Sequence, residues 1–354
     1  MLRDRLVPLL LAANVAACGS DSSGPTVPAR TYRMGFSALP PRPDTALVLP
    51  TLTLATQHSD AGLIQLSIPW TVLLGGTPAA VEVRVVRLPL ANYYRGVGQP
   101  ITVALDVTDG LNRARESPEL IALGRSITDT AMQRLYREYV NAVDTILHPA
   151  YLSLAAETNL IRLAAPAPVY AAIVSMTSGA AADLRARGTT TKLLVSVQVE
   201  TAWGGLQSGG YVGIEQDRTD FPFIDALGLS SYPYLGGYAQ PEDVPLDYYS
   251  RLVSGSSLPE LVLEGGWPSV AAGGVSSTPE MQARYIRRHA QILDDARATA
   301  VFQITFTDLD LSASPPPPGS VLPLFAHLGL VDSALAPKAA LAVWDSLLAL
   351  DLAP

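Results

Sequence analysis

Tyr151-Leu-Ser-Leu-Ala-Ala-Glu157 and Glu260-Leu-Val-Leu-Glu264 are apolar runs of strand length, and each ends in a glutamate. Comparable runs recur at 32–36, 63–68, 101–107, 151–156, 192–198, 226–231, 261–265 and 300–306, with helix-sized gaps between them. Short apolar runs suit parallel strands that are buried on both faces. The gaps carry helical signals. Residues 126–146 place Leu135, Tyr139 and Val143 at helical spacing. Residues 167–187 end at Gly188. Ser277-Thr-Pro-Glu280 opens a helix over 281–296, with Thr278 or Ser277 as its cap and Pro279 in its first turn. A helix over 44–57 is expected to break or start late because of Pro50, and a last helix covers 337–350. This alternation defines an α/β chain. A doubly wound open sheet shares the pattern. However, no Gly-rich phosphate loop follows the first run, where Gly35 stands alone, and the eight runs can close a ring. The expected fold is a (β/α)8 TIM barrel over residues 31–354.

The chain has 354 residues, of which 48% are hydrophobic and 16% charged, a composition that packs a core and is not that of a disordered chain. Its net charge of -8, with no basic stripe, excludes a phosphate-binding surface, so no nucleic-acid partner is expected. Arg3 and Arg5 precede an apolar segment that ends at Val15-Ala-Ala-Cys18-Gly19. The segment is short for a membrane span and reads as an export signal. Val15-Ala-Ala-Cys18 resembles the lipobox of bacterial lipoproteins, which implies a lipoprotein signal peptide over 1–17 and lipidation of Cys18. Residues 18–30 then form a flexible tether. Cys18 is the only cysteine, so it has no internal disulfide partner. The expected location is outside the cytoplasm, anchored to the bacterial membrane through the lipid alone. Gly19 favours the outer membrane where the host has one. A plain signal peptide with an incidental cysteine is the alternative.

In a (β/α)8 barrel the C-terminal strand ends converge on one face, and catalytic groups sit there. Glu157 follows the fourth run and Glu264 the seventh. Two carboxyls meeting at that mouth are the equipment of a retaining glycosidase. Partial shielding of Glu157 is expected to raise its pKa and suit it to protonating a leaving group; an ordinary solvated glutamate is the alternative. Glu264 lies between the apolar 261–263 segment and Gly265-Gly266, where a buried carboxylate needs a partner. It reads as the nucleophile, or else as half of a structural ion pair. Trp70, Trp203, Tyr232, Tyr234 and Trp267 follow strand-like runs and are candidate sugar-stacking residues. Asp106, Asn159 and Gln198 are candidates for binding sugar hydroxyls. Asp308 and Asp310 either join them or cap a loop. His58, His148, His289 and His327 form no ligand pair, so neither a metal nor a cofactor is expected.

Three segments carry a family resemblance: Leu154-Ala-Ala-Glu157-Thr-Asn159, Leu229-Ser-Ser-Tyr232-Pro-Tyr234 and Val262-Leu-Glu264-Gly-Gly-Trp267-Pro268. They resemble the strand-four, strand-six and strand-seven segments of retaining glycoside hydrolases built on a (β/α)8 barrel. The closest flavour is the arabinogalactan endo-β-1,4-galactanase type and related bacterial lipoproteins. The resemblance implies that Glu157 is the acid/base, that Glu264 is the nucleophile and that Tyr232 holds the nucleophile. The implied substrate is a β-linked polysaccharide or oligosaccharide. Two departures stand out. Ala156 occupies the place of an asparagine that in the family binds the sugar 2-hydroxyl, and Phe306-Thr307 lacks the tryptophan often found after strand eight. Loss of one such donor costs about 2–4 kcal/mol in the transition state. A carbohydrate-binding lipoprotein that no longer cuts is therefore the alternative function.

Overall fold

The computed structural model describes residues 29–206 and 209–353; the expected signal peptide 1–17 and Cys18 lie outside the described residues. The strands are β1 (Arg33–Ser37), β2 (Ala61–Ser67), β3 (Ile101–Asp106), β4 (Tyr151–Ser153), β5 (Lys192–Leu194 and Ser196–Gln198), β6 (Leu227–Ser231), β7 (Glu260–Gly265) and β8 (Ala300–Gln303). All pairings among them are parallel, in the order β1-β2-β3-β4-β5 and onward through β5-β6-β7-β8-β1. β5 is one strand interrupted at Val195. Its first piece pairs with β4 and its second with β6. Ser196 N donates to Ala155 O at 3.0 Å and Gly228 N to Val195 O at 2.9 Å, which carries the ladder across the break. The ring is closed, and the fold is a (β/α)8 barrel.

Ala61, Leu63, Ala104, Leu194, Leu261, Leu263 and Phe302 fill the barrel interior. Two larger apolar layers lie between the strands and the helices. Gly35 has a steric reason rather than a phosphate-binding one. A Cβ there would lie 2.3 Å from Ala61 O and 2.8 Å from the Phe302 ring, so only glycine lets β1 approach β2 over that side chain.

Helix boundaries follow local chemistry. Asp129 caps the helix Thr130–Leu147 by accepting from Ala131 N at 2.9 Å. The buried stripe of that helix runs through Met132, Tyr136, Tyr139, Val143 and Leu147, while Leu135 is half-buried. Thr278, rather than Ser277, caps Pro279–Ala296. Pro50 does not break Thr45–Gln57. It lies on the exposed face, and so does Ala46, whose carbonyl loses its helical partner and remains open to water. β4 and β8 are shorter than the apolar runs that signalled them. Beyond Ser153 and Gln303 the chain leaves the ladder to build the barrel mouth. Arg30, the last residue of the expected tether, is buried and pairs with Asp60 at 2.8 Å. Among the described residues, no helix is long and apolar enough to cross a membrane.

Glu260 begins β7 with 1% of its surface exposed, and neither carboxyl oxygen has a hydrogen-bond partner among the described residues. Burial, helped by Asp295, pushes its carboxyl up from an ordinary 4.5 to about 8. The folded state therefore holds this proton more tightly than the unfolded chain does. Its stabilising effect is complete below about pH 4.5 and is lost as pH rises through about 8. Glu260→Gln is expected to flatten that dependence and to stabilise the protein by roughly 3 kcal/mol at pH 8–9. Urea unfolding of both proteins across pH 5–9 tests this; parallel stability curves would refute it.

Candidate active site

A cleft of about 300 Å³ opens at the C-terminal ends of the strands, and Asp106, Arg113, Glu157, Tyr232 and Glu264 all face it. The two glutamates reach it by different local devices. In β7, Leu261 and Leu263 point into the barrel while Val262 packs outside. Simple alternation would therefore turn Glu264 outward with Val262. A bulge intervenes: Val262 is opposite Leu229 and Glu264 is opposite Ser230, so one residue of β7 is unpaired. The bulge re-aims the next side chain and brings Glu264 to the cleft. Glu157 lies beyond the end of β4 in the left-handed region, with φ 52° and ψ 46°, just before the helix Thr158–Ala164. That conformation is unfavourable for a residue with a Cβ and persists only where neighbours enforce it. Glu157 N donates to Ser196 Oγ at 2.9 Å, and its carboxylate accepts from Ser230 Oγ at 2.6 Å.

The other oxygen of Glu157 accepts from Arg113 Nε at 2.8 Å. Glu157 is shielded as expected, at 7% exposure, and it is also ion-paired, because a hairpin folds over it. Thr108–Asp109 pairs with Asn112–Glu116 just after β3. Arg113 turns inward, at 5% side-chain exposure, while Arg115 stays 54% exposed. Regular alternation would put both on one face, and the pairing of this hairpin is irregular between Thr108 and Asp109. Arg113 Nη1 also donates to Asp106 Oδ1 at 2.6 Å and to Thr108 Oγ1 at 3.0 Å. Burial by itself disfavours the guanidinium charge, but Asp106, Glu157 and Glu264 together hold Arg113 above its ordinary pKa.

Glu264 is pushed up from 4.5 to about 7, first by burial and next by the charge of Glu157, while Arg113 opposes the rise. Tyr232 donates its hydroxyl to Glu264 Oε2 at 3.3 Å. Burial and then the charge of Glu264 hold that phenol well above its usual pKa, so it remains a donor. Behind it, the buried carboxyl of Glu200 accepts from Tyr232 N at 2.9 Å, Tyr248 Oη at 3.0 Å and Ser231 Oγ at 3.3 Å. Burial raises Glu200 to about 7 despite these donors. The backbone that carries Tyr232 is therefore fixed by a carboxyl outside the cleft.

Of the remaining residues expected to touch sugar, only Asp106 faces the cleft. Asn159 and Gln198 clip the helix Thr158–Ala164 to the end of β5. Asn159 Nδ2 donates to Gln198 O at 2.9 Å, and Gln198 N donates to Asn159 Oδ1 at 2.8 Å. Trp70 is fully buried in the outer core, at the start of the helix Trp70–Leu74. Trp267 is fully buried against Tyr234 and donates its Nε1 to Ser277 Oγ at 3.1 Å. Tyr234 donates its hydroxyl to Leu324 O at 3.2 Å. Trp203 stacks on Tyr248, with the Arg251 guanidinium 4.9 Å from its ring. Large rings are drawn into the layer between barrel and helices, where they remove the most apolar area from water. Asp308 pairs with Lys338, and Asp310 holds the Ser312 turn. Arg113, Gln65, Thr305 and the apolar residues of the cleft carried no motif. Alternation in Asn112-Arg-Ala-Arg-Glu116 would put both arginines on one face, so no local pattern signals that Arg113 alone turns inward. Among the described residues, no group of three or more His, Cys, Asp or Glu side chains is placed to hold a metal.

No protein-family model and no curated protein sequence matches the chain. Solved structures do. The GH53 catalytic domain of Ignisphaera aggregans superposes with a TM-score of 0.54 at 14% identity, covering 74% of this chain and 77% of that one. The exo-beta-1,4-mannosidase Op5Man5 from Opitutaceae bacterium strain TAV5 gives a TM-score of 0.64 at 17% identity over 90% of this chain. A beta-glucuronidase from Ruminococcus gnavus gives 0.54 at 12% identity over 89%. The chain spans 59% of the length of the mannosidase and 49% of that of the glucuronidase. At these identities the likeness is one of fold: all three align with this chain's (β/α)8 barrel.

Proposed function

We propose that the protein is a glycoside hydrolase that cleaves a β-glycosidic bond with net retention. The observation that carries this reading is the convergence of Glu157 and Glu264, from the ends of β4 and β7, on one cleft with Tyr232 donating to Glu264. Glu264, once ionised, attacks the anomeric carbon, and the bond to the leaving oxygen breaks. Glu157 supplies the proton to that oxygen. It then takes a proton from the water that releases the sugar from Glu264. Each oxygen of Glu157 accepts one hydrogen bond, from Arg113 or from Ser230, and keeps a second lone pair that can carry the proton. The fold likeness to the GH53 catalytic domain, the mannosidase and the glucuronidase supports the reading. The test is a panel of β-linked saccharides, with the anomer first released followed by NMR. Early appearance of the β-anomer is expected; the α-anomer would sink the double displacement.

One pair of observations favours a second reading, glycan binding without cleavage. Ala156 offers no side-chain donor beside Glu157, and Glu157 is tied to Arg113. Saccharide binding without release anywhere in the panel would select it. We further propose that the protein is exported and anchored through a lipid on Cys18. Labelling with a fatty-acid analogue in a bacterial host should mark the native protein and not Cys18→Ser; equal labelling would refute the anchor.

A further inference from the structure

The walls and the floor of the cleft differ in character. Asp106, Arg113, Glu157 and Glu264 lie at the floor, and Leu39, Leu111, Ile304, Leu309, Leu322 and Phe325 form the walls. Leu39 and Leu111 stand 49% and 48% exposed at the mouth. No tryptophan faces the cleft, and the Phe325 ring packs edge-on against Tyr232 with centroids 4.9 Å apart. Aliphatic walls offer sugar hydroxyls neither donors nor acceptors, so a polysaccharide laid along them would lose water contacts without replacement. The floor sets one guanidinium against Asp106, Glu157 and Glu264, which disfavours an anionic ligand.

We propose that the substrate is a neutral glycoside with an apolar aglycone, its sugar over the carboxyl floor and its alkyl or aryl group against the leucine walls. The sugar half rests on the hydrolase reading; the apolar half rests on the walls alone. Each methylene that leaves water for such a wall raises affinity about fourfold.

The test titrates the full-length protein calorimetrically with methyl and octyl β-glycosides of glucose, galactose and mannose, and with octyl β-glucuronide, below micelle-forming concentrations. Alcohol release is followed in parallel. For the preferred sugar, the octyl glycoside is expected to bind at least about tenfold more tightly than the methyl one, with a more negative heat-capacity change. The glucuronide is expected to bind more weakly than octyl β-glucoside. In Leu111→Ser/Leu309→Ser the octyl-to-methyl ratio should fall toward one. Equal binding of methyl and octyl glycosides, or no binding of any octyl glycoside, overturns the inference. Tight octyl binding without alcohol release upholds the apolar wall and sinks the hydrolase reading. Release from both glycosides at equal affinity does the reverse.

Discussion

Glu264→Gln is expected to reduce glycoside cleavage by about 10³-fold or more, because an amide at that position cannot form the glycosyl ester through which retention proceeds. The same change is expected to raise stability. Glu264 is half-buried beside Glu157, and its carboxyl is pushed up from 4.5 to about 7. The folded protein therefore prefers it protonated. That stabilisation is complete below about pH 4.5 and is lost as pH rises through about 7. The neutral amide escapes the loss, and a gain of about 1–2 kcal/mol is expected at pH 8. A purely structural glutamate would not combine lost activity with a higher melting temperature. The native enzyme should show the same titration in its rate. Attack requires the carboxylate, so kcat/KM should fall about tenfold per pH unit below about 7. A Glu264→Gln variant that still releases sugar would remove Glu264 from the role of nucleophile, and an acid limb near pH 4.5 would show that its carboxyl is not raised.

Arg113→Met should have the second largest effect, and it acts on both folding and rate. Arg113 Nη1 lies 2.6 Å from Asp106 and its Nε 2.8 Å from Glu157, almost wholly out of water. Methionine fills much of the same volume but leaves two carboxylates without their counter-charge. Breaking one side of a buried pair in this way costs about 3–5 kcal/mol. Glu264 also loses the cation that opposes its upward shift. Its acid limb should move to higher pH, and activity at pH 7 should drop about 10²-fold. Arg113→Lys keeps the charge but not the planar fork that reaches both carboxylates, so it should recover part of the stability and little of the rate. The measurements are urea denaturation at pH 7 and a pH–rate profile for each variant. An Arg113→Met protein that unfolds like the native one, with an unmoved acid limb, would show that the pairing has no such part.

The barrel was legible because its causes are local and repeated. Parallel strands covered on both faces must be apolar throughout, so the runs at 101–107 and 261–265 announce themselves. Asp129 and Thr278 cap helices through contacts only two or three residues away. Glu157, Asp106, Tyr232 and Glu264 were legible for a related reason: polar residues closing apolar runs lie at the strand ends that meet at the mouth. The aromatic set was not. Whether Trp70 or Trp267 faces a ligand or the helical layer depends on the volume left between elements distant in sequence, and packing took both inward.

By itself, the sequence determined the number and order of strands, the class of fold and which carboxyls stand at its mouth, since periodicity and burial set these within each segment. Only the tertiary structure decided which way those groups point and what touches them. The bulge after Val262 turns Glu264 into the cleft, and a hairpin after β3 carries Arg113 onto Glu157. Each of these depends on register or contact between separate segments. Side-chain direction reverses with a shift of one residue, and no local pattern records that shift.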